Sequence, residues 1–150
     1  MKHLLLVLSI MGLVAPDELR DDDAAKKDLE KVQGTWTMAA LEVDGKPVPE
    51  EKLKSSMLTI KGDKYIIKIK DETHETIIKL DPTKKPKEID MTFTEGANKD
   101  KVLKGIYELD GDKFKICRAL LPDKDRPTEF GTWPDTGVFL VTWKRQAPDK

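Results

Sequence analysis

The chain offers few side chains to chemistry. It has one cysteine, Cys117, two histidines, His3 and His74, and three serines, Ser9, Ser55 and Ser56. A Ser-His-Asp relay would have to join Ser55 or Ser56 to His74, and no strand-turn-helix nucleophile pattern surrounds either serine. Cys117 with His74 would pair a thiol and a base on strands that do not follow one another. A lone thiol on a strand reads first as a small buried apolar group. No His/Cys spacing suits zinc, and His74 alone makes a poor case for an axial haem ligand. Asp110-Gly111-Asp112 is a turn and lacks the spacing of a calcium loop. Glu95 and Glu108 become an acid/base pair only if a cleft joins them. The expectation is a protein that is not an enzyme and carries no metal or cofactor.

Binding is better represented. Arg118 continues the alternation of Phe114 and Ile116, which aims it at the apolar side of its strand. An arginine at the mouth of an apolar barrel can clamp a carboxylate through two parallel N–H bonds. The apolar part of such a ligand would lie against Tyr65, Ile67, Met91, Phe93 and Tyr107. The plainer alternative ends the strand at Cys117 and leaves Arg118 in water or paired with a carboxylate. Trp133, in Thr132-Trp133-Pro134-Asp135, is either a lid or partner contact on a long loop, or a ring folded over the barrel end.

These residues need a wall to hold them, and alternation supplies one. Tyr65, Ile67 and Ile69 share a face opposite Lys64, Lys68 and Lys70. Ile89, Met91 and Phe93 oppose Asp90, Thr92 and Thr94. Such a period of two is that of a half-buried strand. Strands are expected at 35–43, 57–61, 64–70, 73–80, 89–94, 102–109, 113–118 and 138–144. Asp44-Gly45, Gly62-Asp63 and Asp110-Gly111 mark turns between them. The segment from Lys46 to Leu53 reads as loop with one helical turn, Asp81 to Lys87 as a rigid loop, and Leu120 to Gly137 as a long loop. Ahead of the strands, Asp23 caps a short helix from Ala24 to Gln33, with Gly34 as its stop. About eight strands in sequential hairpins make an all-β, antiparallel up-and-down barrel, or else a sandwich.

Composition narrows the class. The chain of 150 residues is 37% charged, with a formal net charge of -1. That length supports one domain with a real core. The near balance gives no field to gather nucleic acid or an anionic membrane. One cysteine allows no intrachain disulfide. Residues 1–15, with Lys2 and His3 before an apolar run from Leu4 to Ala15, read as a signal peptide for export to the periplasm or beyond. The run is too short for a comfortable membrane span, although its weak cleavage site leaves persistence as an anchor open. Residues 16–28 read as an acidic tether and helix start, 29–145 as the barrel domain and 146–150 as a tail.

Several ordered motifs carry a resemblance. They are Gly34-Thr35-Trp36, the run Leu80-Asp81-Pro82-Thr83-Lys84 with Pro86-Lys87 and Ile89-Asp90, Gly105 through Asp112, Lys115-Ile116-Cys117, and Arg126 through Phe130. Together they resemble an uncharacterised, lipocalin-like bacterial domain family found chiefly in planctomycetes, over nearly everything from Leu29 to Arg145. The resemblance implies a lipocalin-like fold in an exported protein and brings no activity. It also implies that Trp36 packs at a closed barrel end with a late basic side chain, Arg145 or Lys144, across its face. Gly34, Trp36 and Arg145 are then structural, and Arg126 and Glu129 tie the long loop to the barrel. The functional expectation is an exported domain binding a small apolar or amphipathic ligand. Its rival is a protein-interaction or structural module whose interior is filled by its own side chains.

Overall fold

The computed structural model describes residues 16–146. The expected export segment, residues 1–15, and residues 147–150 of the tail lie outside the described residues. The elements in chain order are α1 (Pro16–Lys31), β1 (Gly34–Val43), β2 (Lys46–Pro47), α2 (Glu50–Leu53), β3 (Ser56–Lys61), β4 (Lys64–Ile69), β5 (Glu72–Asp81), β6 (Lys87–Phe93), β7 (Val102–Asp110), β8 (Lys113–Ala119) and β9 (Val138–Arg145).

Each long strand pairs antiparallel with the next, and β1 also pairs with β9. That last ladder closes an eight-stranded up-and-down barrel and leaves its wall without long free edges. The short β2 hangs on the end of β1 through Glu42 and Val43. Sequence reading places it in loop, since two residues are too few to show alternation. Asp44 and Gly45 between them both take positive φ, as a two-residue hairpin requires.

Closure asks β1 to serve two neighbours. Gly34 to Thr37 pair with β3, while Trp36 to Val43 pair with β9. A bulge between Met38 and Ala40 shifts the register on β9. The extra residue changes the alternation, so Trp36 and Met38, and then Leu41, all pack on the core.

The helix differs from expectation. It starts at Pro16, not Ala24, so the stretch read as an acidic tether is helical. The physical reason lies in that stretch. Proline suits the first helical position, and positions 17 and 18 of the first turn are acidic, which suits the positive end of the helix dipole. Gly34 follows the helix at φ +116°, a conformation costly for any side chain.

The core is densest in the half of the barrel nearest α1. Trp36, Trp143, Phe114 and Tyr107 are fully buried there with Leu58, Ile60, Ile89, Ile116 and Val141. The Phe114 ring meets Trp36 at 5.7 Å and Tyr107 edge-on at 6.0 Å. A smaller apolar layer lies outside the wall. Ile106, Cys117 and Ala119 have outward parity on β7 and β8 yet are buried, because the segment 120–137 returns over them. Arg126 fastens that segment. It donates to Ile89 O and Gly105 O, and pairs with Glu88 and Asp90 on β6.

Candidate functional site

Helix α1 defines the closed end. The Gln33 amide donates to Gly62 O and accepts from Gly62 N, both at 2.8 Å, which ties the helix to the β3–β4 turn. Trp36 Nε1 donates to Val32 O at 2.9 Å. Asp28, 4% exposed, accepts from the Tyr107 hydroxyl at 2.7 Å and from Lys87 Nζ at 3.0 Å. All of these contacts are with one end of the barrel.

The opposite end, where β4 turns into β5 and β6 runs into the β6–β7 loop, holds a cavity of about 240 Å³. Its wall is built from inward positions of β4 to β8. Tyr65 faces Thr76 across the β4–β5 ladder, and Ile67 faces His74. Met91, Phe93 and Leu103 continue the lining, and Ile69 and Leu120 stand at the rim, each more than a third exposed.

Arg118 and Tyr65 give this apolar cavity its polarity. Arg118 follows Phe114 and Ile116 inward, stacks 4.3 Å from the Phe139 ring centroid and donates to Ala119 O at 2.9 Å. Among the described residues no carboxylate pairs with it. Burial pushes its guanidinium down from its ordinary value, and the nearby Tyr65 opposes that. An arginine still remains charged. The Tyr65 hydroxyl accepts from Trp143 Nε1 at 2.9 Å. Burial pushes this phenol well up, with Arg118 and the Trp143 bond acting against the shift. On the neighbouring strand, the buried Thr76 Oγ1 has no hydrogen-bond partner among the described residues.

Opposite Arg118 on β7 sits Gly105. A Cβ there would lie 2.8 Å from Arg118 Cβ and 2.9 Å from Cys117 O. The glycine is thus the inward position that gives the arginine its space.

Five of the residues singled out from the sequence, Arg118, Tyr65, Ile67, Met91 and Phe93, line this one cavity. Tyr107 does not. It is inward-facing but lies in the filled half, with its hydroxyl on Asp28. Its alternation was legible, but its depth along the barrel was not. Trp133 is also elsewhere. It lies half-exposed on the outer loop, where a Cβ on Gly131 would come within 3.1 Å of its ring. Thr76 and Leu103 join the site without having been singled out, and His74, weighed from the sequence only as a catalytic base or haem ligand, stands at its edge. Ile78 and Leu80, two and four residues beyond Thr76, carried the signal for β5.

The other candidates of the sequence, His74 and Cys117, lie apart. His74 is exposed at the cavity edge, with Nε2 3.5 Å from Glu72 Oε2. Cys117 is buried under the loop, donates weakly to Glu129 O and Gly131 O at 3.6 Å, and has its thiol pushed up by burial. Among the described residues no cluster of three or more His, Cys, Asp or Glu side chains converges on a point. Nor is any described helix long and apolar enough to cross a membrane. No family model matches the chain, and no curated protein and no solved structure does either.

Proposed function

We propose that the protein is a non-enzymatic, lipocalin-like binding domain, exported from the cytoplasm, that holds a small apolar or amphipathic molecule in the open-end cavity. The observation that carries this is the asymmetry of the barrel interior. Four aromatic rings fill the half beside α1, while the other half keeps about 240 Å³ between apolar walls. A barrel whose interior served only stability would gain by filling that space, since each lining atom without a neighbour forfeits dispersion contacts. The volume lies just below the usual range for ligand pockets, which fits a small occupant. The resemblance to the exported, lipocalin-like bacterial family supports the same reading.

Native and then denaturing mass spectrometry on the protein from the cells that make it tests this. The expected result is a stoichiometric added mass that leaves on unfolding. An unladen protein that also fails to bind an apolar fluorescent probe overturns the reading. That result favours the filled-barrel interaction module, for which Trp133 and Leu121, 49% and 58% exposed on the outer loop, are the available contacts.

A further inference from the structure

The binding reading leaves the charge of the occupant open. We propose, resting on that reading, that the occupant is a monocarboxylate, seated with its carboxylate on Arg118 and Thr76 and its apolar chain directed at the mouth.

The three arginines whose side chains are described, Arg118, Arg126 and Arg145, differ in one respect. Arg126 pairs with Glu88 and Asp90, and Arg145 pairs with Asp112. Arg118 sits on the wall of an apolar cavity, and among the described residues it has no such partner. Its one hydrogen bond, to Ala119 O, uses one of five guanidinium donors, and Phe139 covers one face. A cation withdrawn from water without a counter-charge is costly, so this arrangement makes most sense when an anion completes it.

Thr76, on the same wall, fits the same occupant. It is 8% exposed, lines the same cavity, and its Oγ1 has no described partner. A buried hydroxyl without a bond costs free energy, and a hydroxyl donates well to a carboxylate.

The remaining lining fixes the valence and the orientation. Among the described residues no lysine and no second arginine lines the cavity, and His74 at its edge sits beside Glu72. One cation suits a monoanion better than a phosphate dianion, and the planar guanidinium fork matches a planar carboxylate. Arg118 is in register with Gly105, and Gly105 with Ile89, so Met91 and Phe93 stand nearer the open end on β6, and the exposed Ile69 and Leu120 form the rim. The head is therefore inside and the tail at the apolar rim. The cavity volume calls for a short chain.

Isothermal titration of the full chain with octanoate, octan-1-ol and octyl phosphate tests the proposal. The wild type is expected to bind octanoate at least about tenfold tighter than octan-1-ol, the usual effect of a charge-assisted pair. Arg118→Gln should erase that preference and keep octan-1-ol binding. Thr76→Val should weaken octanoate several-fold while raising Tm, because the orphaned hydroxyl is gone. A purely structural threonine would not give that combination, and this variant decides the matter if Arg118→Gln fails to fold. Equal affinity for octanoate and octan-1-ol, or an octanoate affinity unchanged in Thr76→Val, overturns the carboxylate and leaves the binding barrel standing. Tighter binding of octyl phosphate replaces the carboxylate by a phosphate ester. Binding of none of the three overturns the monocarboxylate, and the binding barrel itself is then decided by the native mass spectrum and the apolar probe.

Discussion

The Arg145 guanidinium lies 4.2 Å from the Trp36 ring centroid, on residues that the β1–β9 register sets directly opposite one another. The same group donates to Gln33 O at 2.8 Å and to Lys31 O, and its Nε stands 3.7 Å from Asp112 Oδ1. One side chain thus joins the last strand, the first strand and the negative end of α1. Trp36→Ala is expected to lower stability by about 3–5 kcal/mol, the usual effect of removing a buried indole. Arg145→Lys keeps the charge and loses the fork and the stacking, for about 1–2 kcal/mol. Urea denaturation measures both. A Trp36→Ala midpoint close to wild type would show that this ring does not hold the closed end.

Both tyrosines of the chain, Tyr65 and Tyr107, are buried, and both phenols are pushed well up by burial. For Tyr107 the hydrogen bond to Asp28 and that residue's charge add to the shift. The folded protein keeps two protons that the unfolded chain releases near pH 10. Their contribution to stability is complete below about pH 10 and is lost as pH rises above it. Absorbance at 295 nm should therefore stay flat up to the alkaline unfolding transition and then rise together with loss of the barrel's circular dichroism. A graded rise near pH 10 with the fold intact would show that at least one phenol is open to solvent.

The sequence displays the wall of this barrel better than its depth. Tyr65, Ile67, Met91, Phe93, Phe114 and Ile116 alternate with charged or polar residues almost without fault, so strand positions and the inward face of Arg118 follow from a period of two. What alternation cannot convey is how far along the axis a residue sits. Tyr107 and Phe93 look equivalent in the chain, yet one fills the closed end and the other lines the cavity. The outer loop misleads in another way. Ile106 and Cys117 sit on the outward face and are buried only because residues 120–137 return over them. That return depends on Arg126 finding carbonyls of β6 and β7, which are distant in sequence. Helix α1 escapes notice over its first half because its acidic residues read equally well as a tether.

Cys117 reports on that loop. Its thiol is buried and pushed up by its surroundings, so it should resist an exchange reagent in the native state. Arg126 makes four bonds or ion pairs between the loop and β6–β7. Arg126→Ala is expected to raise the rate of Cys117 labelling about tenfold or more, while the barrel's circular dichroism stays unchanged. The loss of charged hydrogen bonds favours local opening over global unfolding. An unchanged labelling rate would mean that the apolar contacts of Ile106 and Ala119 hold the loop without the arginine.

Gly105 and Gly111 separate steric from conformational use of glycine, and only one of them bears on the cavity. At Gly105 a methyl group would meet Arg118 Cβ at 2.8 Å and Cys117 O at 2.9 Å, and neither is the end of a flexible side chain. At Gly111 nothing lies within 4 Å, but φ is +58°. Gly105→Ala should cost about 1–3 kcal/mol by overpacking, and Gly111→Ala about 1 kcal/mol through its backbone. Their effects on binding should divide more sharply. Gly105→Ala pushes against the strand position that aims Arg118, so octanoate affinity should fall while octan-1-ol affinity holds. Gly111→Ala, in the β7–β8 turn at the closed end, should leave both affinities unchanged. Parallel calorimetry on the two variants checks this. Equal octanoate affinities would mean that Arg118 keeps its position without the space that Gly105 leaves.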